Sequence, residues 1–320
     1  MGWVRPLSGV SLVVPYYHMV SDTSVPHVSH LYRFRTVPEF KSDLEFFLSR
    51  FEPVTLGDIV GALDGTRTLS RPSFHLTFDD GFREMYDVVA PILHRAGVSA
   101  TFFVTTGFLD GGGLAHHNAL SVLFDRIQRG HSRLSAASLR RAESLLPQPS
   151  GDGTTLQARV LSIPYGQKSL VAALAETLDV DLDQYVRETR PYLSSRQIAT
   201  LLTQGFSIGA HSHDHPLYSK LSLPEQLAQT RMSVQLLETR FGVSPRAFAF
   251  PHTDSGVDRQ FFTEVFSEPL LDVSFGTGGL VPHFHPRNIE RVMMEKTSAP
   301  AARILARQFA RATFFRLRPH

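Results

Sequence analysis

Short apolar runs that end on a polar or charged residue alternate along the chain with segments whose apolar positions recur every three to four residues. Ser11 to His18 (SLVVPYYH) predicts a buried strand ending at a histidine. Between Pro38 and Phe51, the spacing of Phe40, Leu44, Phe47, Leu48 and Phe51 predicts an amphipathic helix. Phe74 to Phe78 alternates apolar and polar and runs into Asp79, Asp80 and Gly81, a strand followed by a turn. A helix is expected from Met85 to Ala96, stopped by Gly97, with Pro91 kinking it or delaying its start. Ser99 to Thr105 and Ile208 to His211 read as strands, Pro224 to Phe241 as a long helix closed by Gly242, and Ala247 to Phe250 as a short strand before Pro251. Strands alternating with helices in this way predict α/β units around a mainly parallel sheet or barrel.

One segment breaks the rhythm. From Gly111 to Tyr192 the chain is rich in Ala, Leu, Arg and Ser and shows no clear strand. So long a stretch without structure is improbable in a compact domain, so residues 111–192 are expected to form a helical insertion within a single catalytic domain spanning 1–320. Pro147 to Thr155 is its expected flexible link, and the His116–His117 pair at its start could border a cleft.

Composition narrows the chemistry. The chain has 320 residues and no cysteine, so disulfides, zinc ribbons and thiol nucleophiles are excluded, and any metal must be held by His, Asp or Glu. A formal charge of +2 is too mild to point to nucleic acid. No apolar stretch approaches the roughly 20 residues of a membrane-spanning helix. The apolar run Val10 to Val14 is shorter than a signal peptide requires, which leads to the expectation of a cytoplasmic protein.

The 15 histidines matter where they cluster. Adjacent carboxylates at a strand end, such as Asp79 and Asp80, can divide labour, one binding a cation and the other accepting a proton. The plain alternative is a solvated Asp-Gly turn. In His211, His213 and His215, the outer two are four apart and could chelate one ion from a helical turn, whereas an extended segment would place all three on one face. The plain alternative there is a His-rich surface loop. Asp80, His211 and His215 together supply the three protein ligands of a catalytic zinc site, leaving Asp79 as base. Phe248 to His252 is a third strand running into a turn; Phe250, Pro251 and His252 are candidates for a pocket wall with a backbone N–H aimed at a developing oxyanion.

These residues resemble the polysaccharide deacetylases (the NodB homology fold, carbohydrate esterase family 4). LTFDDGF at 76–82, ATFFVTTGF at 100–108, IGAHSHDHPLYSKLS at 208–222 and FAFPH at 248–252 are similar to that family's motifs in the same order. The resemblance implies a distorted (β/α) barrel with its site at the C-terminal strand ends. It further implies Asp79 as general base, Asp80, His211 and His215 as ligands of one divalent ion, zinc foremost, and His213 as a bystander. The chain departs from the pattern at Ala249, where the family carries an arginine, and at His252 and Thr253, where it carries Tyr-Gly. It also lacks the late Leu-x-His motif of the general acid. Some members carry that histidine on the first strand in a Tyr-His pair, which Tyr17 and His18 resemble; His283 and His285 are weaker candidates.

The expected activity is metal-dependent removal of N-acetyl groups from an amino sugar of a polysaccharide or its precursor. The alternatives are an O-acetyl esterase or non-sugar amidase using the same site, and a non-catalytic carbohydrate-binding protein on this scaffold. At the C-terminus, Arg303, Arg307, Arg311, Arg316 and Arg318 interleave with Ile304, Leu305, Phe309, Phe314, Phe315 and Leu317. Such a basic amphipathic helix could touch an anionic membrane surface or pack on the barrel.

Overall fold

The structure, a computed structural model, describes residues 11–130, 134–147 and 154–317, and for residues 315–317 the backbone only. The central part of the expected flexible link, together with Val10, Arg318 and the side chains of Phe315, Arg316 and Leu317, lies outside the described residues.

Among the described residues, eleven strands follow one another as β1 (Leu12–Val13), β2 (Pro15–Tyr17), β3 (Glu52–Pro53), β4 (Ser73–Phe74), β5 (Leu76–Phe78), β6 (Ala100–Val104), β7 (Ser207–Ala210), β8 (Ala247–Ala249), β9 (Val273–Gly276), β10 (Asn288–Glu290) and β11 (Val292–Met293). Eight form an all-parallel sheet in the order β10-β9-β8-β7-β6-β5-β2-β11. The two edge strands are consecutive in sequence, separated only by Arg291. One extended segment therefore pairs with β9 through Asn288–Glu290 and with β2 through Val292–Met293, nearly closing the sheet into a barrel. This is the (β/α) barrel that the motif order implies.

Two predicted strands are interrupted. Ser11 to His18 breaks at Val14, and Phe74 to Phe78 breaks at His75; the leading halves β1 and β4 join β3 in a small parallel sheet of order β1-β4-β3. Side-chain alternation then divides the core. Val14, Phe103, Ala249, Val273 and Phe275 belong to the packing inside the ring. Phe78, Phe102, Ile208 and Phe248 face outward into the larger cluster shared with the helices. Gly209 is required by this interior: a Cβ there would meet the Phe103 ring at 2.4 Å.

The helices follow local rules. Val37–Arg50 begins on a reciprocal capping box, Thr36 with Glu39, and buries Phe40, Leu44 and Phe47, while Leu48, expected on the apolar face, is exposed. Leu223–Phe241 opens on a Ser222–Glu225 box and ends at Gly242 with φ 65°. The expected helix at Met85 starts as a π-helical turn, Met85–Val89, and becomes α-helical at Ala90, so that Pro91, which has no N–H to donate, falls directly after the wider turn. The C-terminal helix Ala301–Leu317 buries Ala301, Leu305, Phe309 and Ala312 in the large core. Its apolar stripe is used by the fold, which leaves the membrane contact without support. No helix among the described residues is long and apolar enough to cross a membrane.

The chain divides into two compact units, one made of 1–22, 34–110 and 192–320, the other of 23–33 and 111–191. The second is helical throughout its regular structure, with His116–Gly130, Ala136–Leu145, Leu156–Leu161, Lys168–Thr177 and Leu182–Thr189 packed around Leu120, Leu123, Ile127, Val160, Leu174 and Leu178. Residues 23–33, which carry no helical pattern, belong to it because Asn118 donates to the His27 carbonyl (2.7 Å) and Ser121 to that of Pro26 (2.6 Å). His116 bonds the Ile163 carbonyl at 2.8 Å, an internal tie of this unit.

At the base of the barrel, His75 is fully buried, with Nδ1 donating to the Val54 carbonyl (2.7 Å) and Nε2 accepting from Thr101 Oγ1 (2.8 Å). Burial lowers its pKa to about 4, against small opposing pulls from Val54 and Asp58. A folded-state value below the unfolded one means that the unfolded chain binds the proton first, so stability is lost as pH falls from 6.5 towards 4. The loss from this residue is on the order of 3 kcal/mol. His75→Gln should flatten that acid-side slope in urea unfolding measured between pH 7 and 4.5; an unchanged slope would contradict the buried neutral imidazole.

Candidate metal and proton-transfer site

The side chains singled out by the motifs gather at the C-terminal ends of the barrel strands, where such barrels place their chemistry. β5 delivers Asp79 and Asp80, β7 delivers His211, β8 leads to His252, and β2 delivers His18. The connecting backbone is held in unusual conformations: Asp80 (φ 75°), Ser212 (62°), His215 (62°) and His252 (60°) all have positive φ. Four non-glycine residues in this region so close together mark a site where the scaffold holds the loops against local preference. Gly81 continues the turn at φ 80°, and a Cβ there would press on Val104 at 3.2 Å.

Asp80, His211 and His215 converge. His215 Nε2 lies 3.0 Å and His211 Nε2 3.3 Å from Asp80 Oδ1. Ligand atoms held about 2.0–2.2 Å from one tetrahedral ion are themselves about 3.3–3.6 Å apart, so the three residues fit a zinc-sized cation with little movement. His211 Nδ1 donates to the Ala249 carbonyl at 2.9 Å, which leaves the lone pair of Nε2 directed at Asp80 and gives the third motif a structural task. Neither a helical nor an extended segment presents His215. It sits on a tight loop whose N–H donates to Ser212 Oγ (3.0 Å). His213 is turned to Thr106, whose hydroxyl lies 3.0 Å from Nδ1. The Asp80 carboxyl, raised by burial, is overcome by His215 and His211 and held well below the usual carboxylate range.

Asp79 points into the barrel and meets Arg291. The guanidinium donates to both carboxylate oxygens, Nη1 to Oδ1 at 2.6 Å and Nη2 to Oδ2 at 2.8 Å, and both residues are buried. Nη1 also reaches Thr77 Oγ1 (3.2 Å), and Nε donates to the Gly276 carbonyl (3.1 Å). Burial pushes the Asp79 pKa up, but the Arg291 charge, with His211 and the hydrogen bonds, brings it below the ordinary value. Asp79 is therefore ionised and oriented. The partner arginine absent at Ala249 is supplied from the strand that closes the barrel. Sequence reasoning did not single out Arg291; the only available signal was a lone arginine within an otherwise strand-like NIERVMM stretch.

His18 has an equivalent support in Glu295, just past β11. His18 Nδ1 lies 2.7 Å from Glu295 Oε2, and the same carboxylate accepts from the backbone N–H groups of His18 (2.8 Å) and Met19 (3.1 Å). Burial alone would lower the His18 pKa, yet Glu295, with Asp80 and Asp79 behind it, raises it to about 9. Glu295 thus favours the protonated form of the His18 imidazole. Glu295 was also missed from sequence.

The third motif is only partly a wall. His252 is exposed, its ring 4.6 Å from that of His215. Phe250, expected to contact substrate, is fully buried among Tyr218, Phe248, Phe261 and Phe262, and Pro251 is buried beside it, so these two support the loop from beneath. His283 and His285 are engaged elsewhere: His283 lies 3.9 Å from Asp254, and His285 stacks on Phe266 at 4.4 Å. Asp254 and His283 form a separate cluster with Glu290, whose pKa burial and the Asp254 charge raise to about 8.

A profile of the polysaccharide deacetylase family matches residues 66–133 and 180–261, which contain Asp79, Asp80, His211, His215 and His252. No curated protein sequence matches the chain significantly. Among solved structures, the Streptococcus pyogenes deacetylase PplD, in complex with acetate, is similar at TM-score 0.60 and 14% identity over 94% of this chain and 98% of that one. IcaB from Ammonifex degensii is similar at TM-score 0.57 and 17% identity, over 94% and 97% respectively. A de-N-acetylase from Aggregatibacter actinomycetemcomitans follows at TM-score 0.55 and 14% identity, over 91% and 98%. At these identities the likeness concerns the fold, which these proteins share along nearly their whole length. With the profile falling on the strand ends that carry the carboxylate pair and the histidines, the chain carries a polysaccharide deacetylase domain.

Proposed function

We propose that the protein is a metal-dependent hydrolase that removes N-acetyl groups from an amino sugar of a polysaccharide or its precursor. The observation that carries this reading is the division of the two neighbouring carboxylates: Asp80 turned to His211 and His215, Asp79 gripped by Arg291. Asp80, His211 and His215 would hold one divalent ion; an N₂O donor set suits zinc. Such an ion, when bound, polarises the acetyl carbonyl and acidifies a water. The residues of the chain supply the proton handling. Asp79, ionised and fixed in direction by two hydrogen bonds, accepts the proton of the attacking water. His18, kept protonated by Glu295, donates a proton to the leaving amine. Exposed His252, beside His215, borders the place where the acetylated sugar would enter. The acyl carbon gains the water oxygen and loses the amine nitrogen, giving acetate and a free amino sugar.

Asp79→Asn should lower acetate release from N-acetylated oligosaccharides by about 10²–10⁴-fold while divalent-ion content, measured by mass spectrometry, stays at the wild-type level. Near-wild-type turnover in that variant would remove Asp79 from the role of base. Parallel assays on O-acetylated oligosaccharides separate the amidase from the esterase reading, and hydrolysis of neither would leave sugar binding as the activity.

The His18 pair predicts a pH signature. A histidine acting as acid loses activity as pH rises through its pKa, which Glu295 holds high. Glu295→Gln removes the largest upward influence, so the alkaline limb of kcat/KM should move to lower pH by about one unit or more. An alkaline limb that stays in place would show that His18 is not the titrating acid.

A further inference from the structure

Tyr16 lies on β2, 3% exposed, in contact with both halves of the proton-transfer machinery. The Arg291 guanidinium carbon sits 4.5 Å from the centre of the Tyr16 ring and 5.4 Å from that of Phe103. The same tyrosine meets the His18 imidazole nearly at right angles, ring centres 5.5 Å apart. The hydrogen bonds of Arg291 to Asp79, Thr77 and Gly276 radiate from a planar group and restrain it mainly within its own plane. Motion out of that plane is resisted by what covers its faces. Here the cover is aromatic, and a guanidinium shielded from water is attracted to a ring face more strongly than an exposed one.

We propose that Tyr16 is a positioning residue, whose ring holds the Arg291 guanidinium in the plane of the Asp79 carboxylate and braces the His18 imidazole. It acts through the two residues it packs against. The ring face does the holding, so phenylalanine suffices at this position and an aliphatic side chain of similar bulk does not. The kinetic part rests on the deacetylase reading above; the geometric part does not.

The test compares full-length wild type with Tyr16→Phe, Tyr16→Leu, and position 16 carrying phenylalanines of increasing ring fluorination, which drains the ring face of electron density at little change in volume. Two readouts are taken: kcat and KM for acetate release, and the guanidinium ¹H–¹⁵N resonances of Arg291. Tyr16→Phe should keep kcat within about twofold. Tyr16→Leu should lose about tenfold or more in kcat with KM little changed, and kcat should fall stepwise with fluorination. The Nη proton resonances should be separate in wild type, where the hydrogen bonds and the ring block rotation, and should coalesce in Tyr16→Leu. Retained kcat and separate resonances in Tyr16→Leu, or indifference to fluorination, would overturn the proposal, as would a Tyr16→Phe as poor as Tyr16→Leu. Should Tyr16→Leu fail to fold, the fluorinated series decides alone. If wild type releases no acetate, the Arg291 resonances still decide the positioning claim, and only the deacetylase reading falls.

Discussion

A buried ion pair between Arg291 and Asp79 stands where the barrel closes, and the rest of the site is arranged around it. Removing two charges from water costs several kcal/mol per ion unless geometry and hydrogen bonds compensate. Here compensation is dense: two parallel bonds to the carboxylate, one to Thr77, one to the Gly276 carbonyl, and aromatic rings over the guanidinium. With Asp79 occupied in this way, Asp80 is free to turn towards His211 and His215. One pair thus turns two adjacent carboxylates towards different partners.

The segment that supplies Arg291 also finishes the sheet. Asn288–Glu290 and Val292–Met293 hold opposite edges together, and Glu295 follows immediately to grip His18. Both proton-handling side chains of the proposed mechanism are therefore oriented from one stretch of eight residues, 288–295. This ties barrel closure to site geometry. The positive φ angles at Asp80, Ser212, His215 and His252 belong to the same economy, since strained loops persist only where a rigid scaffold holds them.

What the sequence disclosed depended on whether partners were near in the chain. Asp79 and Asp80 are adjacent, and His211 and His215 four apart, so local patterning exposed them. Arg291 and Asp79 are 212 positions apart, and His18 and Glu295 277, and nothing in either neighbourhood marks the pairing. Such partners are created by parallel strand order, which periodicity does not encode. The break of the first strand at Val14 was invisible for a related reason: both halves are equally apolar, and only tertiary pairing divides them between two sheets. Phe250 misled because a conspicuous aromatic beside a motif reads as a pocket wall until its burial against Tyr218 and Phe261 is seen. Residues 23–33 carry no helical pattern, and their place in the helical unit rests on side-chain bonds from Asn118 and Ser121.

The division of labour between Asp79 and Asp80 is the central claim, and anomalous diffraction at the zinc edge from zinc-soaked crystals tests it most directly. The account predicts one peak within bonding distance of Asp80, His211 and His215, with both Asp79 oxygens still on Arg291. A peak bonded to Asp79, or no peak among these residues at saturating zinc, would contradict it.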